Sequence, residues 1–426
     1  MRTFLIIWFG QTVSMLGSSM TTFALSIWIF EQTGSATALT LTLLVRVVPS
    51  ALLVLYAGVI VDRFSRKRIM LLADVVAAIN SVVLLALISS GLQVWHIYLI
   101  IVIGAPFGIL QHLAYDASLT MMVNNQDYVR VGSMGSLTRY TVAILGPAFA
   151  APLYLTIGLG GIVAIDLITF FFAAVPLLIV TIPNPEKSTI KRTGWQQVKE
   201  GFSYIRQHPN LYWLLGIHVA FEFFQIIGQG VKTPMILART GNDETVLAAV
   251  SIASGVGGIL AALLMSSWGG GAIKRLHLYF YGSIGGAIGK IMHGLSQVPA
   301  TWVGTQLFTS TNFPVQEGAY KALWMEETDP AIQGRMFALS SFAMNVISIP
   351  ALLIAGPLAD VVFEPAMQPD GTMAGSFGWL IGTGAGAGFS LLFSLCGVLM
   401  LIIAVLGFWK LDLAGVKQPT PITIGD

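Results

Sequence analysis

Apolar residues run along this chain in long stretches, not in stripes. Stretches long enough to cross about 30 Å of hydrocarbon predict twelve membrane-spanning helices, approximately at residues 4–30, 36–61, 69–90, 95–122, 131–157, 160–182, 210–238, 245–268, 276–296, 300–325, 335–363 and 377–410. The longest polar interval, PNPEKSTIKRTGWQQVKEGFSYIRQHP at 183–209, begins with prolines, carries five basic residues and divides the spans six and six. Within it Trp195, Val198, Phe202 and Ile205 recur at helical spacing, which predicts a short amphipathic helix lying on the membrane face. The expected organisation is a six-helix half over 1–182, a central loop over 183–209, a second half over 210–411 and a tail over 412–426.

Six plus six invites a search for an internal repeat. Residues 111–117 read QHLAYDA and residues 316–322 read QEGAYKA, four identities in seven at an offset of 205. The same offset carries Arg130 onto Arg335 and superposes the fourth span on the tenth. The expected fold class is therefore an all-α membrane protein with two pseudo-symmetric halves, an arrangement that places a substrate site between them.

Composition agrees, since only 10% of the 426 residues are charged where a soluble protein carries about 25%. The charges are unevenly spread. With both ends cytoplasmic, Arg2, Arg63, Arg66, Lys67, Arg68, Arg130, Lys187, Lys191, Arg192, Lys199, Arg206, Lys274, Arg275, Arg335, Lys410 and Lys417 fall on the inner side and only Arg239 on the outer. By the positive-inside rule this predicts a multi-pass protein of the cell membrane with cytoplasmic termini. Met1-Arg2 leads straight into a segment too long for the apolar core of a leader peptide, so no cleaved signal is expected. The single cysteine, Cys396, excludes an intramolecular disulfide.

Between the second and third spans stands GVIVDRFSRKR. Its Gly58, Asp62, Arg63, Arg66, Lys67 and Arg68 resemble the G-x-x-x-D-R-x-x-R-[RK]-[RK] signature of the major facilitator superfamily. WFGQTVSMLGSSMTTFALSIWIFEQTGSA in the first span, VKEGFSYIRQHP in the central loop, and QGRMFAL and AGPLAD around the eleventh span resemble the branch containing macrolide-efflux proteins and siderophore exporters. The resemblance spans essentially the whole chain. It implies the fold, efflux as the direction, and a signature loop that clamps the cytoplasmic side when the carrier faces outward. Gly146-Pro147 in YTVAILGPAFAAPLY resembles the Gly-Pro element that exporters carry in the fifth span, and such a kink also serves helix packing. The fourth span lacks the arginine that many proton-coupled drug exporters carry there.

Ionised side chains near the bilayer centre cost roughly 2.5–3.5 kcal/mol on an insertion scale, so they usually face a cavity or a partner. In the seventh span His218, Glu222, Gln225, Gln229 and Lys232 follow steps of 4, 3, 4 and 3, which stacks them on one face. Gln11, Ser14, Ser18 and Thr22 do the same in the first span, and the tenth carries Gln306, Thr309, Gln316, Glu317, Tyr320 and Lys321. Spans one, four, seven and ten line the central cavity in the superfamily that the chain resembles. The candidate cargo contacts are therefore Gln11, Ser14, Ser18, His112, His218, Gln225, Gln229, Lys232, Glu317 and Tyr320. The aromatics Phe221, Tyr320 and Trp324 would add stacking surface. The plain alternative is polar glue between packed helices. Arg46, Asp74, Arg139, Asp166 and Lys290 read mainly as packing partners.

His112 and Asp116 stand one turn apart, and their repeat-mates Glu317 and Lys321 invert the signs. Asp116 and Lys321 lie roughly 9 and 6 Å from the cytoplasmic ends of their spans at 1.5 Å per residue. That depth suits a gate closed by an Asp116–Lys321 pair. The competing reading is pairing within one half, as between Glu317 and Lys321. Glu222, among Phe221, Phe223 and Phe224, is the first candidate for proton coupling, and Asp116 the second. GGAIGK at 285–290 lacks the residues of a phosphate-binding loop, and the six histidines show no metal-ligand spacing. No cofactor, metal, nucleic acid or enzymatic chemistry is expected. The expected partners are a small-molecule cargo, protons and the bilayer, and the protein is expected to be monomeric. The expected function is proton-driven efflux of amphipathic small molecules, with proton-coupled uptake or a non-transporting sensor or scaffold as alternatives.

Overall fold

The chain was analysed as a computed structural model, which describes residues 2–122, 128–180, 194–268, 273–328 and 332–413. Five helices precede the central segment: α1 (Arg2–Thr33), α2 (Ala36–Arg63), α3 (Arg66–Ser90), α4 (Val94–Met122) and α5 (Tyr128–Ile179). Then come α6 (Gly194–Gln207), α7 (Pro209–Thr240), α8 (Glu244–Trp268), α9 (Arg275–Leu295), α10 (Pro299–Glu327) and α11 (Gln333–Pro357). A π-helical turn (Leu358–Phe363), the short α12 (Glu364–Ala366), α13 (Ala374–Ile381) and α14 (Ala387–Leu413) complete the chain. No strand occurs among the described residues.

Nine of these helices are long and apolar enough to cross a membrane. One of them, α5, runs for 52 residues because two helices meet at Gly158, whose φ of 65° is a conformation that residues with a Cβ resist. The fifth and sixth expected spans are its two arms. α9 and α10 are long enough to cross but more polar than the nine, since they carry Lys290, His293, Gln306 and Gln316. The last expected span, 377–410, needs correction. Positive φ at Gly382, Gly384 and Gly386 breaks it into α13, a turn, and α14. Those glycines are the approach to the helix rather than its first turn.

The way the apolar core is divided sets the shape of the molecule. Two faces are distinguished here: the near face, holding the start of α1 and the end of α14, and the far face opposite. At the far face one continuous core joins Ile27, Phe30 and Leu39 of α1 and α2 to Met235, Leu237, Ala351 and Phe363 of α7, α11 and the π-helical turn. Toward the near face the core separates. Ile7, Val61, Met70, Ala114 and Leu177 form one cluster, and Leu214, Phe280, Leu323, Met336 and Ala404 form another. Small residues allow the far-face contact. A Cβ on Gly230 of α7 would lie 2.9 Å from the Thr40 side chain of α2, and Gly356 of α11 also abuts Thr37 and Thr40.

Asp360 fastens the same face. Its carboxylate accepts from Ser35 Oγ at 2.6 Å and from the backbone N–H groups of Ala36 and Thr37 at 2.9 and 2.8 Å. A residue 324 positions away in sequence thereby satisfies the otherwise orphaned donors at the start of α2. Glu364 does the same for α14 through Gly386, Gly388 and Phe389.

At the near face α6 lies against α11. Val198 and Ile205 are buried, Glu200 pairs with Arg335 at 2.9 Å, and the Trp195 and Phe342 rings meet edge to face at 5.7 Å. Trp195 and Phe202 stay exposed, so the apolar stripe expected to rest on the membrane is divided between the protein and its surroundings. The side chain of Arg130, the repeat-mate of Arg335, lies outside the described residues.

Candidate functional site

A cavity of about 590 Å³ opens among α1, α2, α3, α4, the second arm of α5, and α7. Its wall is largely aliphatic, including Leu25, Leu39, Leu43, Leu84, Ile100, Ile101 and Ile109. Into it project Ser18, Thr22, Thr42, Arg46, Ser50, Asn80, Gln111, Asp166 and Gln229. A smaller pocket of about 230 Å³, lined among others by Gln225, Gln229, Ser254, Lys290, Gln306 and Thr309, lies between the second half and Tyr140 of α5. Gln229 lines both.

Two carboxylates stand behind the main cavity. Asp166 is held by Ser18 at 3.1 Å, Thr21 at 3.2 Å and Ser81 at 3.4 Å, hydroxyls from α1 and α3. Asp74 on α3 accepts from Gln111 on α4, whose amide also reaches Gln11 on α1 at 3.3 Å. Asp74 is 2% exposed and Asp166 8%, so both carboxylates pack helices together, as expected of them. Arg46 is different, since its side chain is exposed to the cavity.

The stripe on α7 is split between environments. His218 is buried, stacks on Tyr320 with centroids 3.8 Å apart and lies 3.3 Å from the Tyr279 hydroxyl. Tyr320 in turn meets Ser340 at 3.1 Å. These two expected cargo contacts belong to the packed interior of the second half and line neither pocket. Gln225 and Gln229 do line a pocket. Lys290 donates to the Gln225 backbone carbonyl at 3.1 Å and sits 5.0 Å from the Phe393 ring. Lys232, by contrast, is half-buried. In α1, Ser18 lines the cavity, Gln11 joins the Asp74 network and Ser14 is half-buried.

The candidate gate residues keep to their own helices. His112 lies 3.5 Å from Asp116, and Lys321 lies 2.6 Å from Glu317; all four side chains are more than half exposed.

The basic loop ties down helix ends. Arg66 donates to the Ala117 carbonyl at 2.6 Å, and Lys67 donates to those of Leu178 and Val180 at 3.0 and 2.7 Å. Cations at C-terminal carbonyls also complement the helix dipole. Arg63 and Arg68 are exposed, while Gly58 and the Asp62 side chain lie outside the described residues. Gly146 and Pro147 are buried, and Gly146 abuts Ser19 of α1, so the Gly-Pro element serves close packing here.

Long apolar helices gathered around a largely aliphatic cavity with a few inward polar side chains define a multi-pass membrane protein built to carry small molecules. The chain belongs to the Major Facilitator Superfamily, whose family model matches residues 7–352, and is accordingly a transporter and not an enzyme. It is 27% identical over 367 residues to Macrolide efflux protein A of Streptococcus pyogenes, covering 84% of this chain and 89% of that protein. A bacterial homologue of iron transporter ferroportin superposes in its inward-facing state with a TM-score of 0.71, at 11% identity over 96% of this chain and 98% of that one. The outward-facing structure of that homologue gives 0.59, at 13% identity over 97% of this chain and 100% of that one.

The cavity wall on α2 was not among the sequence-derived candidates. A signal was present, because Thr42, Arg46 and Ser50 recur every four residues and so share one face.

Proposed function

We propose that this chain is a proton-coupled exporter of amphipathic small molecules that works by alternating access in the cell membrane. In this proposal it crosses the bilayer twelve times, counting both arms of α5 together with α9 and α10. Residues 1–182 and 210–411 are its two halves, joined by 183–209 and followed by a tail over 412–426. Both termini are cytoplasmic, the functional unit is a monomer, and the near face is the inner one. The observation that carries the proposal is the uneven core. The halves share one apolar seal at the far face and part toward the near face, with a cavity between them. That is the geometry of a carrier open to the cytoplasm, and the higher score with the inward-facing neighbour supports it. The name of the streptococcal relative supports export and a drug-sized cargo.

The open near face also accounts for the gate residues. Asp116 and Lys321 would pair across the halves only after the near face closes, with His112 and Glu317 following behind them. Glu222 is proposed as the proton carrier. Among the described residues its carboxylate makes no hydrogen bond and no ion pair within 4 Å. Asp116 stands second.

Everted membrane vesicles loaded across a panel of macrolides, dyes and siderophores test the proposal. Accumulation that requires an imposed proton gradient, and that Glu222→Gln lowers by about a hundredfold or more, the scale of a lost proton-transfer group, is the expected result. Accumulation only in right-side-out vesicles would replace export with uptake. Binding without flux in either orientation would leave a non-transporting receptor.

A further inference from the structure

The charged groups of the main cavity are not equivalent. Asp166 has both carboxylate oxygens occupied by three hydroxyls and is 8% exposed. Behind it Gly17 leaves just enough room, since a Cβ there would come within 3.0 Å of Asp166 Oδ1. A ligand entering the cavity therefore meets little of this carboxylate. Arg46 is the opposite case. Its guanidinium is exposed to the cavity, and among the described residues it has no hydrogen-bond or ion-pair partner. Snorkelling to a headgroup does not explain it. Arg46 stands ten residues from Ala36 and seventeen from Arg63 on α2, about 15 and 25 Å along the axis, beyond the reach of its side chain.

An unpaired cation at that depth is costly and marks a ligand or ion pathway. Guanidinium presents a planar fork of donors that matches carboxylate and phosphate oxygens two at a time. The surrounding wall is aliphatic, and about 590 Å³ is the size that encloses drug-like ligands. We propose that Arg46 reads the cargo, and that the cargo is an amphipathic organic anion carrying a carboxylate or phosphate on an apolar body. The inference rests on this cavity being the one that carries cargo.

The test uses the full-length protein in nanodiscs and three fluorescent probes with one dansyl-alkyl body, ending in a carboxylate, a carboxamide or a trimethylammonium group. The wild type binds the carboxylate probe about tenfold or more tighter than the amide, the size of one charge-assisted bidentate contact, and binds the ammonium probe weakest. Arg46→Gln abolishes that ranking, bringing the carboxylate probe level with the amide, and Arg46→Lys keeps part of it. Should Arg46→Gln misfold, the wild-type ranking and Arg46→Lys decide. Equal binding of carboxylate and amide, preference for the ammonium probe, a ranking that survives Arg46→Gln, or no binding of the carboxylate probe overturns the inference. A carboxylate ranking without flux in vesicles leaves it standing and removes export. Flux without the ranking does the reverse.

Discussion

Asp166 tolerates its depth in the bundle because Ser18, Thr21 and Ser81 turn their hydroxyls toward it. Removing it strands donors on two helices at once. Asp166→Ala is expected to destabilise the protein by about 1–3 kcal/mol, the cost of leaving buried donors unmet, and Asp166→Asn by less; thermal unfolding in detergent measures both. A second carboxylate sits in the turn before α8. Asp243 accepts from the backbone N–H groups of Thr245 and Val246 at 2.9 and 3.2 Å, and from the Thr245 hydroxyl at 2.6 Å. Those bonds, led by the hydroxyl, hold its carboxyl below the usual carboxylate range. A depressed folded value gives stability that is present above the unfolded pKa of about 3.9 and is lost as pH falls through the folded one. Asp243→Ala should therefore cost about 1 kcal/mol at neutral pH, as for a lost N-cap, and nothing once both states are protonated. A pH series of unfolding midpoints checks it. Sequence spacing identified Asp74 and Asp166 as packing partners, because an isolated acid in an apolar run needs donors nearby. It could not tell His218, which turns toward Tyr279 and Tyr320, from Gln229, which turns into the cavity. Both lie on one side of α7, and only the position of α9 and α10 separates them.

Among the elements, α2 is held at its first turn by a distant partner. Ser35 caps α2 by accepting from the Ala38 N–H at 3.3 Å, and Asp360 adds acceptors for the Ala36 and Thr37 N–H groups, in doing so spanning the two halves at the far face. Asp360→Ala removes three accepting contacts and should raise the population of far-face-open molecules about 5- to 30-fold, as one or two kcal/mol does. Thiol labelling of Thr37→Cys in a Cys396→Ser background reads this out; an unchanged labelling rate would sink the idea. The same helices show what apolar runs can and cannot reveal. Most spans were legible because each must be apolar against lipid. The break at Gly382–Gly386 was hidden, since glycine and alanine count as apolar in a run whether they continue a helix or turn away from it. The extra polarity of α9 and α10 reflects burial against neighbouring helices, where side-chain amides and hydroxyls find partners.

For the whole molecule, the repeat at offset 205 and the basic loop pointed to the family before any coordinates, because both are local in sequence. Which face is shut was not legible, since it depends on contacts such as Asp360 with Ala36 that no local pattern records. A direct check of alternation is the pair Asp116→Cys and Lys321→Cys, added to Thr37→Cys in the Cys396→Ser background. The two thiols should cross-link only while the near face is closed, and the cross-linked protein should lose flux and label readily at position 37. Formation of the bond with no change at the far face would mean that the two faces move independently.

The far-face seal is largely apolar, joined at Gly230, Gly356 and Thr40 and fastened by hydrogen bonds that uncharged donors give to Asp360, whereas the near-face closure proposed here is ionic. These two kinds of closure respond to different variables. Apolar contact weakens on cooling, and exposed charge pairs weaken as salt shortens the Debye length. Chilling should thus release the far face, while added salt should hold back the near one. Temperature and ionic strength then become independent handles on the resting orientation of the carrier, with no ligand and no mutation needed to turn it.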